Sequence, residues 1–417
     1  MTLLVAMAVL VLSGNVMSQS QQIRAGYVID PGSGTVEEDR LITIHDGRIE
    51  KIVPFHKANV SSDYIDLTDS WLMPGLIDSH VHITWNAGEF GKPKYDRVNA
   101  RESTAFRAIR GLKVAEEFLL AGFTTLREAG NDADYATADV IKAIGKGWFP
   151  GPDIQYVGKI ISPYGGQLDG LAYRNRGDWG FEYIDADTRD EMTKAVRQNL
   201  FFGATAVKLV VDEDARYFFS EGDVRHIVSE ARRAGVRVTA HVMGGEPLRQ
   251  LVLGGVAGID HGFELDDELL KLMKKHGTFL IGTDFSYENF RAYGESEKQA
   301  SEHEEKLIKR LRRAHEIGVK LAYGTDIVIN LPGKDRVESS FEVLKVWEKA
   351  GIPPEVLLQA ITSNAAELMG LDESRGYLRP GFRADMVALK SNPLEALGNI
   401  RSVHFVMKEG QVVRHDL

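Results

Sequence analysis

Five short strings in the middle of the chain carry side chains able to hold and use a cation: His80-Val-His82, Lys208, His241, His261, and Asp326 in Gly324-Thr-Asp326. On a strand, residues i and i+2 face the same way, so His80 and His82 project together and can converge on one ion. His241 closes Val236-Arg-Val-Thr-Ala-His241, and His261 follows Gly258-Ile-Asp260. A hydrogen-bonded core histidine explains any one of these. It does not explain four of the 12 histidines falling at the ends of apolar runs. The other eight, His45, His56, His226, His276, His303, His315, His404 and His415, lie in stretches that read as hairpins, helices or tails, where a structural or solvent-exposed role is expected. Asp326 is placed to ligate a metal and to take a proton from bound water, with a turn or helix N-cap as its plainer role.

Lys208 is the odd residue. It sits inside Ala206-Val-Lys-Leu-Val-Val211, where an ammonium would be desolvated unless paired or chemically altered. Burial lowers the pKa of an amine, and an unprotonated amine can add carbon dioxide to give a carbamate. A carbamate is in effect a long-armed carboxylate, able to bridge two divalent cations. A salt-bridged lysine is the alternative.

The composition narrows the chemistry. There is no cysteine among the 417 residues, so disulfides and thiolate ligands are excluded and any metal is held by nitrogen and oxygen. A net charge of −10 without a basic stripe argues against a nucleic-acid partner. Small molecules are the expected ligands, and homo-oligomerisation stays open.

What must position these groups is a frame of alternating elements. Strand-like runs at Trp71–Ile83, Thr124–Glu128, Ile154–Ile161, Ala206–Val211, Val236–Val242, Gly258–His261, Phe279–Gly282 and Lys320–Tyr323 alternate with helical patterns. Thr188–Phe202 opens with an acidic turn and stops at Gly203, and Val224–Ala234 follows Ser220-Glu-Gly-Asp223 and stops at Gly235. Eight strands in this rhythm predict an α/β fold, a closed TIM-like (β/α)8 barrel, whose carboxyl strand ends collect catalytic groups. Short strands with turn signals precede it (Ile23–Ile29, Arg40–His45, Arg48–Val53) and follow it (Ala384–Leu389, Val403–Met407, Gln411–Val413). These predict a small β-sandwich domain built from both chain ends, residues 21–74 plus 371–417, around a barrel over 75–370.

The extreme N-terminus reads differently. Leu3–Leu12 is apolar, too short to span a bilayer, and is followed by a polar stretch, as in a secretory signal peptide, although no basic residue precedes it. A signal peptide over residues 1–18 is expected, with a periplasmic or secreted product and no stable membrane insertion after processing. A docked terminal strand or helix in a cytoplasmic protein is the alternative.

Taken together, the motifs resemble the amidohydrolase superfamily, in its imidazolonepropionase-like branch with Xaa-Pro and other dipeptidases. The resemblance runs from about Ile23 to the C-terminus. It rests on Pro74-Gly-Leu-Ile-Asp-Ser-His-Val-His82, Ala121-Gly-Phe-Thr-Thr-Leu-Arg127, Val207-Lys208, Ala240-His241, Asp260-His261-Gly262, Gly324-Thr-Asp326, Thr362-Ser-Asn-Ala-Ala366 and Arg379-Pro-Gly-Phe-Arg-Ala-Asp385. It implies two divalent metal ions, zinc being the expected metal. His80, His82 and Asp326 would hold one, His241 and His261 the other, and carbamylated Lys208 would bridge them with a hydroxide.

The implied activity is hydrolysis of an amide bond in a dipeptide or N-acyl amino acid, with Asp326 as the catalytic proton acceptor. Lactone, cyclic-amide or phosphoester hydrolysis and deamination are alternatives on the same barrel, and Lys208 counts against a deaminase. A non-catalytic binding protein on a decayed barrel would have lost ligands, and none is missing. Many relatives carry Gly-Gly-His after the third strand, whereas this chain has Ser162-Pro-Tyr-Gly-Gly-Gln-Leu-Asp169. Tyr164 and Gln167 are therefore the expected substrate contacts, with Gln167 as a turn cap being the alternative; its neutral amide cannot become cationic. A second departure is Glu128, where an aspartate commonly follows the Thr-Thr-x-Arg string.

Overall fold

The computed structural model of the chain describes residues 20–60, 63–93, 101–165, 180–211 and 217–416. The expected signal peptide and Gln167 lie outside these residues. Each of the eight strand-like runs contains strand. Leu76–Val81, Phe123–Glu128 and Asp153–Tyr156 pair in parallel. Tyr183–Asp185, Ile160–Ser162, Val207–Val210, Val238–Gly244, Gly258–Glu264, Phe279–Ile281 and Leu321–Ala322 follow in a second parallel sheet, in that order.

Backbone bonds tie the two sheets at both ends. Thr205 N donates to Tyr156 O (2.9 Å) on one side; on the other Ser79 N donates to Tyr323 O (2.8 Å) and Asp326 N to His80 O (2.9 Å). The described strands of this block thus form an α/β unit of parallel strands alternating with helices. Continuous burial of Leu76–Val81 and Phe123–Glu128 is what strands covered on both faces require.

Two details were not legible in the pattern. The run Ile154–Ile161 breaks into Asp153–Tyr156 and Ile160–Ser162, because Gly158 takes a left-handed φ of 70° and Asn199 bonds Lys159 through both its amide groups (3.1 and 2.7 Å). Tyr183–Asp185 is an additional strand beside Ile160–Ser162. The helices follow their caps: Arg189–Phe201 starts with a Thr188–Glu191 capping box and Glu221–Arg233 with a Ser220–Asp223 box.

Both chain ends build one further sheet, ordered Gln411–His415, Val403–Lys408, Met386–Leu389, Ile65–Pro74, Gln21–Ile29, Val36–His45 and Arg48–Pro54. The strands from the two chain ends are joined edge to edge in one seven-stranded sheet, and the turn at Gly47 returns against its other end, Ala384 N donating to Gly47 O (2.8 Å). Its inward residues, Ile23, Ile42, Leu72, Met386, Phe405 and Met407 among them, form a core of their own. Ile65–Pro74 is the seam, parallel to Gln21–Ile29 and antiparallel to Met386–Leu389. At Gly75 the chain passes from this sheet into Leu76–Val81; a Cβ there would lie 2.2 Å from Thr124 Oγ1, so only glycine fits. Among the described residues no helix is long and apolar enough to cross a membrane.

Candidate metal centre

The ends of the parallel strands bring the sequence-selected histidines together. His80 is the fifth residue of the fully buried strand Leu76–Val81, and His82 follows that strand directly. Their Nε2 atoms are 3.3 Å apart. Asp326 Oδ1 lies 3.1 Å from His82 Nε2 and 3.6 Å from His80 Nε2. Gly324 makes this approach possible, since a Cβ there would come within 2.8 Å of His80 Cβ and 2.4 Å of Ile281 Cγ2.

The parallel register supplies the other half. Val207 pairs with Val238, which places Lys208 beside Thr239 and Val210 beside His241; Val242 in turn pairs with His261. The His241 and His261 rings are 4.3 Å apart, and the His80 and His261 rings 5.2 Å. Lys208 Nζ lies 3.4 Å from His80 Nε2, at the junction of the two groups. His261 (φ 73°), Thr283 (φ 43°) and Asp326 (φ 54°) all hold left-handed backbone, which costs on the order of 1–3 kcal/mol per residue and persists where the surroundings over-determine it. His261 Nδ1 and Thr283 Oγ1, 2.8 Å apart, join two of these positions.

Behind the ligand candidates stands a buried layer to which the sequence reading gave no role. Asp260 Oδ1 lies 2.8 Å from His80 Nδ1 and 2.6 Å from Arg127 Nη2, and Asp260 Oδ2 is 3.5 Å from Lys208 Nζ. Asp78 ties the first strand to the last, accepting from His80 N (3.0 Å) and Thr325 Oγ1 (2.8 Å). Arg310 donates to His261 O (2.9 Å) and to Asp284 Oδ1 (2.7 Å). Glu128 accepts from Ile83 N (2.6 Å), holding the turn that carries His82. The signal for Arg127 and Asp260 was the one used for Lys208, a charge inside an apolar strand.

Electrostatics separates the four histidines. Burial, reinforced by Lys208, holds His80 down at about 4 and His241 at about 3; burial and His241 keep His261 well below the ordinary range. Burial also pulls on His82, but hydrogen bonding with Asp326 and Glu128 outweighs it and lifts His82 to about 9. Asp326 is held below the usual carboxylate range; burial opposes this, and His80, His82 and His261 overcome it. Burial lowers Lys208.

These states fit a cation. His80 Nδ1 faces Asp260 and His82 Nδ1 faces Gly130 O at 2.6 Å, so both rings carry a proton on Nδ1 and turn Nε2 toward each other, each with a lone pair there when the ring is neutral. Two lone pairs at 3.3 Å beside a carboxylate repel unless something positive lies among them. In the bare protein that is the proton on His82; a divalent ion is the other group the donor set suits. His80, His82 and Asp326 offer ligand atoms all within 4.8 Å of one another.

A cavity of about 410 Å³ opens over these groups, lined by His80, His82, Lys208, His241, His261 and Asp326. Its lining is rich in aromatic residues, with Phe263, Phe285 and Tyr293 in contact with one another and Trp85 beside His82. Tyr164 is 58% exposed, bonds through its backbone to Asp187, and is not part of the wall. None of the eight histidines set aside lines the cavity, and the buried one among them, His404, bonds Ser70.

Over residues 71–413 the chain matches the Amidohydrolase family. The chain belongs to that family. Amidohydrolase family members are hydrolases acting on carbon–nitrogen bonds and generally use divalent metals. Among curated relatives, ochratoxinase from Aspergillus niger is 29% identical over 410 residues, covering 89% of this chain and 82% of that protein. Imidazolonepropionase from Deinococcus deserti is 26% identical, covering 85% and 86%. A crystal structure of a Xaa-Pro dipeptidase with methionine in its active site superposes with a TM-score of 0.81 at 26% identity, covering 95% of this chain and 100% of that one. The Aspergillus niger ochratoxinase structure gives 0.80 at 26% identity, covering 95% and 96%.

Proposed function

We propose that this amidohydrolase cleaves an amide bond in a dipeptide or N-acyl amino acid, using two divalent metal ions, with zinc as the expected metal. The site stands on a (β/α)8 barrel over 75–370, with the sheet from 21–74 and 371–417 packed beside it. The observation that carries the reading is the pair of Nε2 atoms 3.3 Å apart at His80 and His82 with Asp326 Oδ1 alongside. The likeness to a Xaa-Pro dipeptidase supports peptide amides as the class.

His80, His82 and Asp326 would hold one ion, His241 and His261 the other, with Lys208 as a carbamate between them. Bound there, the ions would lower the pKa of a water and polarise the scissile carbonyl. Asp326 accepts the proton released as the carbonyl is attacked and returns it to the leaving amine. Asp260 fixes the tautomer of His80 through Nδ1, with Arg127 compensating its charge. Tyr293 donates to Asp326 O (3.1 Å) and so steadies the left-handed turn from which the carboxylate reaches the site. Gln167, in the loop after Ile160–Ser162, is a candidate substrate contact, whereas Tyr164 could touch only a substrate extending beyond the cavity wall. The signal-peptide reading of residues 1–18 carries with it an exported product, checked by the mass of the mature chain.

The direct test is a hydrolysis screen of the metal-loaded protein against a library of dipeptides and N-acyl amino acids. Release of free amino acid from a subset is expected. If no member of either class is cleaved while lactones or phosphoesters are, the amide reading is wrong.

A further inference from the structure

The metal centre accounts for the floor of the cavity and leaves its wall unused. Phe263 follows His261 by two residues on the same strand, and the two rings are 5.7 Å apart. From Phe263 the contacts continue outward to Phe285 (6.2 Å), which is stacked on Tyr293 at 5.2 Å with an interplanar angle of 19°. All three rings line the cavity and are only partly buried. The surface is also fixed in place. Phe290 packs edge-on against Phe285 at 5.6 Å, and Tyr293 OH bonds to the backbone of Asp326 and Val328.

The charges around the wall point the same way. Beyond the histidines, Lys208 and Asp326, the charged residues lining the cavity among those described are Glu182 and Glu295. Each already has a partner, Arg107 at 2.8 Å and His303 at 2.9 Å. Among the described residues an anionic side chain would find no cation on this wall, and a cationic one only carboxylates that already hold Arg107 and His303. A flat apolar group would instead gain burial and ring contacts on a preorganised surface.

Building on the proposed amide hydrolysis, we infer that Phe263, Phe285 and Tyr293 form a subsite for an aromatic side chain on the substrate, next to the scissile amide. The class selected is then dipeptides or N-acyl amino acids bearing a ring, in preference to those with short, cationic or anionic side chains. The proximity of Phe263 to His261 and of Tyr293 to Asp326 places the ring within about one residue's reach of the metal ligands.

Calorimetry on the full, metal-loaded chain tests this without requiring turnover. The probes are propionate, 3-phenylpropionate and 6-aminohexanoate, which share a carboxylate, with 2-phenylethanol and ethanol as neutral counterparts. The phenyl group is expected to tighten binding about 10- to 100-fold over propionate, the range for burying one aromatic side chain. 6-Aminohexanoate should bind no more tightly than propionate. Phe285→Ala should cut the phenyl-to-propionate ratio about tenfold, and Phe285→Leu, which keeps more of the volume, should cut it less.

An unchanged ratio in both variants overturns the subsite, as does a parent ratio below about twofold or tighter binding of 6-aminohexanoate than of 3-phenylpropionate. If every carboxylate fails to bind but 2-phenylethanol binds over ethanol in a Phe285-dependent way, the metal reading falls and the subsite stands. Carboxylate binding without ring preference gives the reverse. Binding of none of the probes overturns the subsite.

Discussion

Asp260 Oδ1 and His80 Nδ1 meet at 2.8 Å in a contact from which water is excluded, both side chains being fully buried. The same carboxylate receives Arg127 at 2.6 Å and lies 3.5 Å from Lys208. Burial alone would raise the pKa of Asp260, yet Arg127, Lys208 and His80 hold it far below the ordinary range. It is therefore a fixed negative charge that sets the tautomer of His80 and compensates Arg127.

Asp260→Asn keeps the shape and removes the charge. Metal affinity is expected to fall about 10- to 100-fold, the usual effect of losing an outer partner of a ligating histidine. Titration against a competing chelator measures it. Affinity equal to the parent would show that Asp260 neither orients nor polarises His80.

Lys208→Ala tests the bridge. Metal content should drop and hydrolysis should collapse, with partial recovery when short carboxylic acids are supplied to occupy the space left by the side chain. Elemental analysis and turnover are read together. Two metals per chain with full activity would be incompatible with a bridging role.

For Asp326→Asn the fold should persist, because the backbone bond from Asp326 N to His80 O (2.9 Å) does not involve the side chain. An amide cannot take a proton, so turnover should fall by about 10²-fold or more. Circular dichroism and kinetics separate the two effects. Normal turnover with metal in place would remove Asp326 from proton transfer.

The ligand candidates were legible because strand-end histidines and a lysine inside an apolar strand break the pattern of a buried sheet. His80, His82, Lys208, His241, His261 and Asp326 all reach one cavity. The supports were less visible. Arg310 lies on the helix Glu297–Ile317, among charges that mostly face solvent, and nothing in that local pattern marks it as the residue turned inward to His261 O and Asp284. Its partner Asp284 is also held by Trp347 Nε1 at 2.9 Å, a contact across 63 residues. Likewise the single edge-joined sheet depends on the seam at Ile65–Pro74, a long-range pairing that alternation within one segment cannot specify. The aromatic wall was not legible for the same reason: Phe263 ends a strand while Phe285 and Tyr293 flank the next short helix, and their meeting is a tertiary contact.

A pH effect on stability follows from Asp132, which is buried and whose pKa is raised to about 7 by desolvation first and by Glu182 and Glu128 next. Its Oδ1 accepts from Tyr135 N (3.2 Å), while its Oδ2 has no hydrogen-bond partner. For an acid whose pKa is higher folded than unfolded, the folded state binds the proton more tightly. This group's penalty is absent below the unfolded pKa of about 4, grows as pH rises, and is complete above about 7. Asp132→Asn imitates the protonated form and keeps the Oδ1 acceptor. Relative to the parent it should be close to neutral at pH 4 and stabilising at pH 8, by on the order of 1–4 kcal/mol at about 1.4 kcal/mol per unit. Chemical unfolding at the two pH values gives the difference directly. A variant whose advantage does not grow between pH 4 and pH 8 would mean that Asp132 is not the protonated carboxyl that its surroundings imply.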